Sequence, residues 1–62
     1  MLAVNTYDSI VYINPNHVVS IAYNTFAGEV YIHLVAGPSV VVVSKDPKAR
    51  AADIANKMRE IL

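Results

Sequence analysis

The sequence contains no cysteine and no tryptophan, and only two glycines and three prolines in 62 residues. Without cysteine there is neither a disulfide framework nor a thiolate metal site. Charge is scarce as well. Asp, Glu, Lys and Arg together make up 16% of the chain, against about 25% in an average soluble domain. The formal net charge is zero, so the whole chain exerts no strong attraction on a polyanion. Long hydrophobic runs are missing too. The densest, Val40 to Val43, is strand-sized, far short of the roughly 20 residues of a membrane span. The start, Met1-Leu2-Ala3-Val4-Asn5, has neither the basic region nor the long apolar region of a signal peptide. The expectation is a cytoplasmic protein with no membrane partner.

What the chain does have is aliphatic side chains. Apolar residues are 55% of the total and the mean hydropathy is positive. The length allows one domain, residues 1–62. A domain this small buries only about 60% of its unfolded surface, and small folds often rely on disulfides, a metal or a partner. With disulfides excluded and few charges to coat the exterior, composition predicts a homo-oligomer.

Residues 2–44 read as strands, rich in Val, Ile and Tyr and broken by turn residues at short intervals. Leu2 to Thr6 is a first strand, followed by a turn at Tyr7-Asp8-Ser9 and a short strand from Ile10 to Ile13. Asn14-Pro15-Asn16 stops it, because Pro15 has no N–H for a ladder and disfavours helix at Asn14. A single helical turn after Pro15 can include His17 and Val18. Strands follow over Val19 to Asn24, Glu29 to Val35 and Val40 to Ser44, joined by turns at Gly28 and Gly37. Such short connections imply antiparallel hairpins. Asp46-Pro47 then signals a helix start, with Asp46 as cap and Pro47 in the first helical position. Ala51, Ile54, Ala55, Met58, Ile61 and Leu62 form one apolar stripe over residues 47–62, and Asp53 and Lys57 form an i,i+4 ion pair. The fold class expected is α+β: a small antiparallel β-meander of four to five strands followed by one C-terminal amphipathic helix.

Alternation along strands assigns faces. Val30, Ile32 and Leu34 share one face, and Val19, Ile21 and Tyr23 form a similar set on the preceding strand. These six are expected to meet the helix stripe as the core. The opposite face carries Tyr31, His33 and Val35, with Ser20, Ala22 and Asn24 beside them. One helix covers one face only. The valine strand is apolar on both sides, a pattern usual for strands buried on both sides. Tyr and His combine an apolar body with a polar tip, which suits a protein interface. The candidate partner surface is therefore Tyr12, Tyr31, His33, Val35, Val41 and Val43.

No residue pattern frames a reaction. His17 and His33 lie sixteen positions apart with no further ligand at metal-site spacing. No serine stands in a nucleophile elbow, and neither a phosphate loop nor a dinucleotide fingerprint is present. The expectation is a non-enzymatic protein with no catalytic residue, no cofactor and no metal. All five basic residues, Lys45, Lys48, Arg50, Lys57 and Arg59, fall in the last eighteen positions. With three acids there, that segment carries +2 and the rest −2. These five are the candidate contacts of an alternative reading, a small nucleic-acid-binding regulator. The ordinary meaning of such a mixed helix is a solvated face.

From Ile13 onward the chain resembles the small FlbD-type proteins, first met among flagellar genes, and similar short bacterial and phage proteins. The resembling pieces are Ile13-Asn14-Pro15-Asn16-His17-Val18-Val19-Ser20-Ile21, Val30-Tyr31-Ile32-His33-Leu34, a glycine turn at Gly37, Val40 to Ser44, and a closing helix. The resemblance covers roughly three quarters of the chain and is one of spacing; here Pro38-Ser39 follows the turn glycine, and the charge is lower than the family's. It supports the fold and implies a small regulatory or adaptor protein, and the family has no established catalytic residue to carry over.

Overall fold

The computed structural model describes residues 1–62. Five antiparallel strands precede one helix: β1 (Leu2–Asn5), β2 (Ile10–Ile13), a 3-10 turn at Pro15–His17, β3 (Val18–Asn24), β4 (Glu29–Leu34), β5 (Val40–Val43) and α1 (Pro47–Ile61). The strands divide into two sheets. β1 pairs with β2, and β3, β4 and β5 pair in that order.

The division falls at Pro15. Its missing N–H ends β2, and Asn14 caps the turn that follows by accepting a hydrogen bond from the Asn16 amide at 3.0 Å. The chain leaves this turn in a new direction, and β3 pairs with β4 rather than with β2. The His17 carbonyl accepts the Val35 amide at 2.8 Å, which ties the turn to the far end of β4.

Each hairpin is closed by its own turn chemistry. Thr6 and Ser9 close β1–β2 through a backbone bond of 2.8 Å and through both hydroxyls. Between β3 and β4, the Asn24 side chain accepts the Phe26 and Ala27 amides at 3.0 and 3.1 Å. Gly28 follows at φ +67°, and a Cβ there would stand 3.2 Å from the Ser44 carbonyl oxygen. That position needs glycine both for its backbone angle and for the close passage of the chain leading out of β5.

α1 starts as its sequence dictates. Asp46 accepts the Ala49 amide at 3.2 Å, and Pro47 occupies the first turn and is buried. The helix packs against β3, β4 and β1. Ala51, Ile54 and Met58 meet Val30, Ile32 and Val42 from the large sheet, and Leu2, Val4 and Ile13 from the small one. These nine side chains are the core, which contains no polar group. Val11, Val18, Ile21, Leu34 and Val40 pack around it.

Several expected core residues lie elsewhere. Val19 is 67% exposed. The β3–β4 register shifts between Val18, opposite Leu34, and Ser20, opposite His33. This bulge reverses the alternation, so Val18 and Ile21 pack on the core and Val19 points out. Tyr23 shares the face of Val30 through its register but stands near the end of the sheet and is exposed. Ile61 and Leu62 extend past the surface that the sheets offer, and both are exposed. The expected burial of β5 on both sides does not hold within one chain: Val42 is 1% exposed, whereas Val41 and Val43 are 40% and 54% exposed.

Substitutions separate the core from its surroundings. Ile54→Ala is expected to cost about 2–5 kcal/mol in chemical denaturation, through lost burial and a residual cavity. Asp46→Ala is expected to cost about 0.5–2 kcal/mol through the lost cap. Val19→Ser, at the outward bulge residue, is expected to change stability by no more than about 0.5 kcal/mol.

Candidate partner interface

The face of the three-stranded sheet turned away from α1 is built in rows set by register. Ala22, Tyr31 and Val41 form one row, and Asn24, Glu29 and Val43 the next. Ser20 and His33 form a third, which Ser39 extends, its hydroxyl 2.7 Å from His33 Nδ1. Four of the six candidate residues, Tyr31, His33, Val41 and Val43, therefore share one face. Val35 lies in the bend just after β4 and is exposed. Tyr12 does not join them. It belongs to the two-stranded sheet, opposite Ala3 and on the same face as Asn5 and Ile10.

The backbone explains why Tyr31 and Val41 meet closely. The Ser44 amide donates to the Gly28 carbonyl at 2.9 Å. That bond fixes the phase of the β4–β5 ladder. In phase with that single bond, 30–42 and 32–40 are the hydrogen-bonded pairs of the ladder, whereas 29–43 and 31–41 are the non-bonded ones. Side chains in such non-bonded pairs stand closer together, and an aromatic beside a β-branched residue contributes about 0.2–1 kcal/mol.

The only charge on this face is Glu29, and it is engaged. Tyr31 donates its hydroxyl proton to Glu29 Oε1 at 2.7 Å. The two residues are i,i+2 neighbours on one strand and so lie side by side. Loss of the phenol proton would break this bond, strip a partly covered oxygen of its neutral form and set two negative charges together. All three effects, the hydrogen bond first, raise the Tyr31 pKa above its ordinary value near 10. The sheet face thus presents an uncharged phenol whose orientation the carboxylate fixes.

The basic residues are dispersed. Asp53 lies 3.6 Å from Arg50 and 3.2 Å from Lys57, and the Arg59 guanidinium donates to Asn56 at 3.3 Å. With about 3.6 residues per turn, Arg50 and Lys57 fall on one flank of the buried stripe and Lys48 and Arg59 on the other. Lys45 stands before the helix. No three His, Asp or Glu side chains gather in a group that could hold a metal ion, and no cleft opens in the surface.

Some exposed groups were not signalled by strand alternation. Phe26 projects fully from the β3–β4 turn, and Tyr7 projects from the β1–β2 turn. The available signal was an aromatic residue among turn formers. The Tyr31–Glu29 bond was legible in principle from the i,i+2 spacing within a strand.

Compared with protein-family models, with curated proteins and with solved structures, the chain matches none of them.

The Tyr31 contact has a measurable sign. Because its folded pKa is raised, the stabilisation it gives is complete below the unfolded tyrosine value and is lost as pH rises through the folded value. Glu29→Gln is expected to return the Tyr31 titration towards the ordinary value, followed by ultraviolet absorbance or by NMR of the labelled ring. An unchanged titration would show that the carboxylate has no hold on the phenol.

Proposed function

We propose that this chain is a non-enzymatic protein–protein interaction module that works as a homo-oligomer, using the outer face of its three-stranded sheet. The observation that carries the reading is the division within β5. Val42 closes the core, while its neighbours Val41 and Val43 stand exposed on an almost uncharged face beside Tyr31. Strand propensity and the Tyr31–Val41 pair account for part of this valine content, but a solvated sheet face more often alternates with polar residues. Covered by a second copy, the same residues are ordinary interface material.

The surface as a whole supports this. Twelve large apolar or aromatic side chains are exposed, against nine apolar residues buried in the core. Lys and Glu, which usually blunt exposed sheet surface, are confined on this face to Glu29, whose carboxylate already accepts the Tyr31 hydroxyl. The resemblance to FlbD-type proteins agrees with a regulatory or adaptor role of bacterial or phage type. The basic helix gives less support to nucleic-acid binding. Phosphate recognition needs clustered, unengaged positive charge, and here Asp53 pairs with both cations of one flank and offsets part of their charge.

Sedimentation across a wide concentration range tests the reading. The mass is expected to rise above the 6.8 kDa of one chain. Val41→Lys, which puts a charge in the middle row, is expected to weaken association at least about tenfold, or about 1.4 kcal/mol. A mass that stays at one chain to near-millimolar concentration would sink the proposal.

A further inference from the structure

The ladder phase fixed by Ser44 and Gly28 also fixes what the outer edge of β5 offers. Val40, Val42 and Ser44 direct their backbone groups to β4. Val41 and Val43 therefore direct their N–H and C=O groups away from the sheet. No other strand lies beyond β5, and no backbone bond from a turn or loop reaches Val41 or Val43. The edge is straight in register with β4, and β5 contains no charge and no proline. The usual protections of an exposed edge are bulges, charges, prolines and covering elements. β3, at the other edge of this sheet, has a bulge at Val19 and the helix packed against it. β5 has none of them.

We propose that two copies of this chain pair antiparallel through β5, with a twofold axis at Val42, to form one continuous six-stranded sheet. The inference rests on the homo-oligomer reading above and specifies how the copies meet. The register follows from the free groups. A twofold at Val42 places Val41 opposite Val43 of the second copy and Val43 opposite its Val41. Both are hydrogen-bonded pairs, so each exchanges two bonds and all four free groups of each strand are satisfied. The Val42 positions form the intervening non-bonded pair. A twofold centred at Val41 or at Val43 also satisfies outward groups, but it leaves one of the two residues opposite Ser39 or Lys45 and breaks the all-valine match.

The chemistry of the edge favours a second copy as the occupant. Each strand brings the same donors, acceptors and β-branched side chains that the other needs. Continued along the strand, the register sets Lys45 opposite Ser39 and Asp46 opposite Pro38, so no like charges meet. Area sets the strength. A stable interface covers about 800 Å² per partner, about a fifth of the 4259 Å² surface of this chain. A four-residue edge covers less, which places the pair in the weak, concentration-dependent class. On the outer face the pairing joins Val41 and Val43 of both copies into one apolar cluster, flanked on each side by Tyr31.

Amide exchange of the full chain, measured by NMR at low micromolar and near-millimolar concentration, reads the pairing directly. The Val41 and Val43 amides are expected to slow at least tenfold at the higher concentration, with Val42, bonded within its own sheet, unchanged. Val41→Pro removes an outward N–H and no internal ladder bond, so it is expected to leave the fold intact and abolish the concentration-dependent mass. As a second measurement that needs no proline, the cysteine-free background allows Ser39→Cys and Lys45→Cys chains to be mixed. The mixture is expected to cross-link at least tenfold faster than either variant alone. If mass rises with concentration but Val41 and Val43 stay unprotected and the mixture shows no preference, the oligomer stands and the β5 pairing is overturned. Protection at Ile10 and Tyr12 instead would move the contact to β2 and overturn it equally. A mass that never rises removes both readings.

Discussion

The packing of one helix stripe against two sheets at once is the interaction on which the rest depends. Ala51, Ile54 and Met58 touch strands that share no ladder, so side-chain burial joins what backbone hydrogen bonding does not. Full burial of a single large aliphatic side chain is worth about 1.5–3 kcal/mol. With nine core residues and no buried polar group, there is little redundancy. The cap at Asp46 and the buried Pro47 matter for this reason: they set where the stripe begins, and so which three residues reach the two sheets together.

The same geometry limits what the interior can hold. A helix of this length covers the inner faces of the hairpin and of the large sheet and nothing more. Apolar residues beyond that capacity remain at the surface, and they are not spread evenly. β5 concentrates two of them beside Tyr31, and the phenol is held by Glu29. A single interaction along β4 thereby orients the phenol and gives the Glu29 carboxylate, which keeps its charge, a hydrogen-bond donor. The sheet can present an almost uncharged face without burying a polar group unsatisfied.

Much of this architecture was legible in the sequence. Strand composition, the Pro15 stop, the glycine turns and the Asp46-Pro47 start each follow from local chemistry and match the elements observed, with boundaries shifted by a residue at most. The separation into two sheets was not legible, because it depends on the direction in which the chain leaves the Pro15 turn. Nor was the bulge. Val18-Val19 offers two equivalent side chains, and only the pairing with β4 decides which turns inward. Among the candidate surface residues, Tyr31, His33, Val41 and Val43 share a face because β4 and β5 alternate without interruption. Tyr12 was grouped with them by residue type, and sheet membership, a long-range property, separates it.

The missing ladder between the sheets has a mechanical consequence. A strand in a sheet resists shear through hydrogen bonds that must break together. The N-terminal hairpin is held to the remainder by apolar contacts and by the chain itself, with the His17–Val35 bond as a clasp just beyond it. Tension between Met1 and the chain beyond Ile13 loads the open end of the hairpin, where Leu2 pairs with Ile13, and opens its ladder bonds one after another. Loss of the apolar contacts therefore frees the hairpin while leaving every ladder bond of the three-stranded sheet in place.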